Sequence, residues 1–187
     1  MAEQFPELSG EHQEWIGRQR IFFTASATAE SRINISPREG GALRVLDAST
    51  VVYLDKTGSG SETSAHMKAD GRMTIMFCSF EGPPRILRLY GQGRIVHRDS
   101  DEYRRILADC FDGEAPPGAR QIVLLDIAMA QTSCGFGVPL FAYERDRDVL
   151  TKWATGKGPD GIAAYWREKN MTSIDGLPTG ILDPAGP

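Results

Sequence analysis

The feature that most limits the fold of this chain is a closely spaced series of β-prone runs through its middle. IFFTASA (21–27), RINISPR (32–38), LRVLD (43–47), TVVYLD (50–55), GRMTIMFCSF (71–80), RILRLYGQGRIVH (85–97) and IVLLDIAMAQTSC (122–134) are rich in β-branched and aromatic residues. Glycine and proline turns punctuate them, including Glu39-Gly40-Gly41 and Pro83-Pro84. Most connections are short, and short connections favour antiparallel pairing. No strand–helix–strand rhythm repeats, which argues against a doubly wound parallel sheet. The pattern predicts about six strands in a small antiparallel barrel, mainly β, with three or four short helices around it.

The helices carry their own signals. Ser9-Gly10-Glu11-His12 opens one, with Trp15 and Ile16 on its buried side. Ser100 caps SDEYRRILADCF, where Tyr103, Ile106, Leu107 and Phe111 recur at helical spacing. From about residue 144 the sequence predicts two helices separated by GKGPDG, then a proline- and glycine-rich irregular tail from about 171. Gly91 and Gly93 predict a bend or bulge in the strand 85–97. The 187 residues suit a single domain.

Composition narrows the function. A net charge of −4 and a pI near 5.4 disfavour binding through nucleic-acid phosphates. No apolar run approaches the roughly 20 residues of a membrane helix, and the first residues are acidic and polar rather than signal-like. A cytoplasmic location is therefore expected. The three cysteines, Cys78, Cys110 and Cys134, are widely spaced without a C-x-x-C pair, and the three histidines are scattered. Neither a disulfide framework nor a metal site is expected.

Several segments carry candidate chemistry. KTGSGS (56–61) runs into the helix-like ETSAHMKAD, a juxtaposition suited to phosphate because helix-start N–H groups are unpaired. Lys56, Thr63 and Ser64 add a charge and hydroxyls. A simple capped turn at Ser61 is the plainer alternative, and no Walker-type lysine motif is present. In RINISPR, Arg32, Asn34 and Ser36 share one face and Ile33 and Ile35 the other. Arg88 sits between Leu87 and Leu89 on a half-buried strand and needs an anionic partner, protein or ligand. QTSCGFGVP (131–139) ends an apolar strand in small residues, including Ser133 and Cys134, which admit a tight turn or a flat ligand.

Taken in order, these segments resemble the pyridoxamine 5′-phosphate oxidase-like family of flavin-binding split barrels, over roughly residues 12–135. RINISPR is similar to the family's R-x-x-L-L-K strand, which touches flavin mononucleotide (FMN). TVVYLD, the loop and SAHM look like its strand, turn and S-R-K-A-H helix start. GRMTIMFCSF and RILRLYGQGRI look like the following hairpin. Glu62-Thr63-Ser64 stands where the family has S-R-K, and Pro37 where it has lysine, so the chain resembles a relative of the oxidase rather than the oxidase itself.

The resemblance implies a six-stranded antiparallel split barrel, two FMN sites across a homodimer, and an oxidoreductase acting on a small-molecule substrate or electron donor. It implies Arg32, Asn34 and Ser36 along one side of the flavin. Lys56, Thr63, Ser64 and Arg88 would hold the phosphate, and Ser133 and Cys134 would reach the ring from the partner subunit. A non-catalytic carrier of flavin, of the deazaflavin F420 or of haem is the alternative, with His66 or His97 as the axial ligand in the last case.

Overall fold

The computed structural model describes residues 2–184. Eight strands form one sheet: β1 (Glu3–Phe5), β2 (Ile21–Ser26), β3 (Asn34–Glu39), β4 (Leu43–Val45), β5 (Thr50–Lys56), β6 (Arg72–Cys78), β7 (Ile86–His97) and β8 (Ala119–Ser133). Their order is β3-β2-β6-β7-β8-β5-β4, with β1 also paired to β8. Every pairing is antiparallel. The sheet therefore has more strands than the six expected: six have six residues or more, and β1 and β4 add three residues each. The sheet curls into a half-barrel. Its two edges, β3 and β4, are joined by the single 3₁₀ turn Gly40–Ala42, so the chain itself ties the seam.

Alternation sorts the side chains. Phe22, Tyr53, Met73, Ile75, Phe77, Leu87, Leu89 and Leu125 fill the inside of the curl. Val52, Leu54, Ile122 and Leu124 point the other way. There they meet Tyr103, Ile106, Leu107 and Phe111 of α3 (Asp101–Cys110), whose Ser100 hydroxyl accepts the Tyr103 N–H as an N-cap. Burial on both faces explains why residues 122–125 read as an unbroken apolar run. At Tyr90/Gly91 the β7–β8 register shifts by a bulge. A Cβ at Gly91 would lie 1.9 Å from the Asp126 carbonyl oxygen, so only glycine allows this approach.

The other helices are α1 (Gly10–Gly17), α2 (Glu62–Ala69) and α4 (Val149–Lys169). α4 is broken at Gly158, which has φ 64°, and Pro159 follows it. The expected GKGPDG separation is therefore a kink between two helical halves rather than a loop. Trp166 from the second half is buried with Ala154, Ile162 and Ile181. No helix among the described residues is long and apolar enough to cross a membrane.

Candidate functional site

Alternation in β3 defines two faces, and the structure turns the polar one inward. Asn34, Ser36 and Arg38 are half-buried where they line a cleft, while Ile33 and Ile35, which also line it, are 72% and 65% exposed. This is the reverse of a strand packed on a core. β3 is an edge strand, and beneath its inner face lies the tip of α2 rather than the sheet interior. Asn34 Nδ2 donates to Thr63 Oγ1 across that gap at 3.3 Å.

The cleft has a volume of about 590 Å³. The β3 face forms one wall and the loop Gly58–Gly60 with Glu62 and Thr63 the other. The loop is held from behind. Thr57 N–H donates to Gly118 O at 2.7 Å, and Trp166 Nε1 donates to Thr57 Oγ1 at 2.8 Å. Asn170 Nδ2 donates to Gly58 O at 3.1 Å, and Arg120 to Gly60 O at 2.9 Å. The carbonyls of Gly58 and Gly60 are thereby occupied. Among the described residues no acceptor takes the backbone N–H groups of Gly58 through Ser64. Unpaired N–H groups at a helix start create positive potential.

The floor is ionic. Asp55 is buried at the end of β5 between two arginines. Arg38 donates to Asp55 Oδ1 at 2.6 Å and Arg120 Nε to Oδ2 at 2.7 Å; Gln121 Nε2 adds a bond of 2.9 Å. Burial raises the Asp55 pKa, but Arg120 and then Arg38 outweigh it and hold the carboxyl below the usual range. One carboxylate shared by two guanidiniums leaves a positive charge at the cleft floor. Arg38 also lies over the buried Tyr53 ring at 4.8 Å, and burial pushes the Tyr53 hydroxyl up to about 12.

The residues named from sequence fall into three groups. Arg32, Asn34, Ser36, Lys56 and Thr63 all line the cleft. Both cations among them are already paired, Arg32 with Asp175 and Lys56 with Glu39. Ser64 is buried beneath the site, where its hydroxyl accepts from Ser61 and Gln121. Ser61 makes no side-chain cap, so the plain capped turn is not what forms here. Arg88, Ser133 and Cys134 lie outside the cleft, where β7 and β8 pair near their ends. Arg88 donates to Ser133 Oγ at 3.3 Å and has no carboxylate partner among the described residues.

Arg38 and Arg120 are cleft-lining cations that sequence reasoning missed. Arg38 was legible in principle, because it continues the Arg32, Asn34, Ser36 alternation by one more step. Arg120 meets Asp55 from 65 residues away, a contact that no local pattern encodes. The two histidines named for haem lie elsewhere. His66 is buried with Nδ1 3.0 Å from Ser26 Oγ, and neither His66 nor His97 lines the cleft.

The comparisons with known proteins bear on this arrangement. Residues 8–134 match the family described as pyridoxamine 5′-phosphate oxidase. The chain belongs to the pyridoxamine 5′-phosphate oxidase family. It is 37% identical over 190 residues to the Aspergillus flavus pyridoxamine 5′-phosphate oxidase family protein ustO, spanning 93% of this chain and 76% of that one. Among solved structures it is similar to HupZ of group A Streptococcus (TM-score 0.53, 16% identity, 67% of this chain and 99% of HupZ). It is also similar to a Lactobacillus delbrueckii protein provisionally assigned as a pyridoxamine 5′-phosphate oxidase (TM-score 0.51, 22% identity, 67% and 94%). At these identities the two structures establish the split-barrel fold alone.

The chemistry of the donor set can be tested against a flavin phosphate. Free N–H groups at the α2 tip, the Thr63 hydroxyl and the Asn34 amide are the donors a phosphate needs. Arg38 and Arg120 stand close to where the family's S-R-K cations are missing. The donor set fits, with its cations drawn from β3 and β8 instead of from the helix start.

Proposed function

We propose that this protein is a cytoplasmic FMN-binding oxidoreductase of the pyridoxamine 5′-phosphate oxidase family, working as a homodimer on a small-molecule substrate or electron donor. The observation that carries the reading is the cleft: a polar strand face turned in over an amide-rich helix tip, above two arginines that share one aspartate. Bound flavin supplies the electron-transfer chemistry, and the protein positions it and tunes its surroundings. Thr63, Asn34 and the loop amides hold the phosphate. Arg38 and Arg120 supply the charge that balances it.

Two features support the dimer. An edge strand showing Ile33 and Ile35 to water is a surface that another chain covers at a gain of about 25 cal/mol per Å². Arg88 and Ser133 are hydrogen-bonded to each other apart from the cleft, with Cys134 next in the chain, a placement suited to a site shared between two copies. Ile35→Asp is expected to shift the protein from dimer to monomer in sedimentation equilibrium. A monomer in the unaltered protein, or an unaffected dimer in the variant, would exclude this face.

Thr63→Ala and Arg88→Ala are each expected to weaken FMN binding by about 1–3 kcal/mol, the scale of a lost charge-assisted or buried hydrogen bond. Calorimetric titration reads both. Unchanged affinity in the pair removes the phosphate assignment and the shared site together. Oxidoreductase activity is read separately: the bound flavin should bleach with a nicotinamide donor or reduced F420. A flavin that binds but is reduced by no donor means a carrier.

A further inference from the structure

The chain beyond the family match folds back onto the cleft. After α4, Thr172 bridges Pro178, Ser173 N–H donates to Leu177 O at 2.9 Å, and Gly176 has φ +81°. These contacts make a tight hairpin with Ile174 and Asp175 at its tip. The tip touches both walls. On the β3 side, Arg32 N–H donates to Asp175 Oδ2 at 2.8 Å, and the Arg32 guanidinium pairs with the same carboxylate. On the α2 side, Ile174 N–H is shared between the two Glu62 oxygens at 3.1 Å each. Ile174, 73% exposed, is part of the cleft lining.

We propose that this hairpin is a gate on the cleft, in which Asp175 occupies Arg32 in place of a ligand phosphate and is displaced when a phosphate-bearing ligand enters. The proposal rests on reading the cleft as a phosphate site. Carboxylate and phosphate compete for one guanidinium, and the phosphate brings more charge and more acceptor oxygens. Arg32 is free to change partners, because its side chain is 73% exposed, while that of Asp175 is only 15% exposed. An ion pair with so exposed a member is weak, so exchange costs little. Protons do not open the gate at neutral pH. The Arg32 N–H and then its guanidinium hold the Asp175 carboxyl below its usual range, so the pair is lost only in acid. Residues 172–178 lie outside the stretch 8–134 that matches the family, so the gate is built beyond the matched barrel.

Asp175→Asn keeps an oxygen for the Arg32 N–H and removes the charge. FMN affinity is expected to rise about fivefold in this variant, the scale of one partly exposed ion pair, while riboflavin affinity stays within about twofold. In the unaltered protein, FMN or inorganic pyrophosphate should speed hydrogen exchange of the amides at 172–178. FMN binding that is unchanged by Asp175→Asn, with hairpin exchange unaffected by either ligand, overturns the gate and leaves the phosphate cleft standing. If neither FMN nor pyrophosphate binds, the cleft reading and the gate fall together.

Discussion

Replacing Asp55 with alanine is expected to lower the unfolding free energy by about 3–5 kcal/mol. The cause lies in what remains rather than in what is removed. Arg38 and Arg120 both direct guanidinium nitrogens at one buried carboxylate. Without it two charges are left facing each other with no counterion, and Arg120 is almost wholly out of water. The loop loses support as well, because the same Arg120 side chain holds Gly60 O and Asn170 Oδ1. Urea unfolding checks the magnitude. The pH dependence follows from the same pair. A carboxyl whose folded pKa is depressed stabilises above its unfolded value of about 3.9 and loses that contribution as pH falls through the lower folded value. The unaltered protein should therefore lose stability in acid below about pH 4, and Asp55→Ala should flatten that limb. A loss under about 1 kcal/mol in the variant would mean the arginines find other partners and the floor is not a built ionic site.

Ser59→Asp is expected to weaken FMN binding about a thousandfold while leaving the fold intact. Ser59 is exposed on the loop and lines the cleft, so a carboxylate there meets no packing constraint. Two like charges about 4 Å apart near a protein surface repel by about 4 kcal/mol, or close to three decades of affinity. Riboflavin, which lacks the phosphate, should be nearly indifferent. Equal losses for both flavins would say that the loop packs on the ring and not on the phosphate. Added salt should recover part of the FMN loss, because the cleft is open to solvent and exposed charges are screened.

Much of the barrel was legible because strand periodicity is local. The runs 50–55, 85–97 and 122–134 lie within a few residues of β5, β7 and β8, and the glycine pair in 85–97 announced the bulge at Gly91. The Ser100 cap and the apolar stripe of α3 followed from the same short-range rules. Alternation in RINISPR separated two faces correctly but did not say which one turns inward. That depends on β3 being an edge strand over a helix tip, a property of the sheet order and not of the strand. Ser64 read as a ligand hydroxyl because nothing local reveals that Gln121 donates to it. The Arg120–Asp55 pair and the Asp175 hairpin were invisible for the same reason, being contacts across 65 and 143 residues.

In the proposed site the glycine-serine turn and the α2 tip grip a flavin's terminal phosphate. Titrating the purified protein with FMN and with riboflavin, followed by quenching of flavin fluorescence, tests it most directly. FMN is expected to bind at least about tenfold more tightly, which is about 1.4 kcal/mol for the phosphate's hydrogen bonds and charge. Equal affinities for the two flavins, or no binding of either, would contradict it.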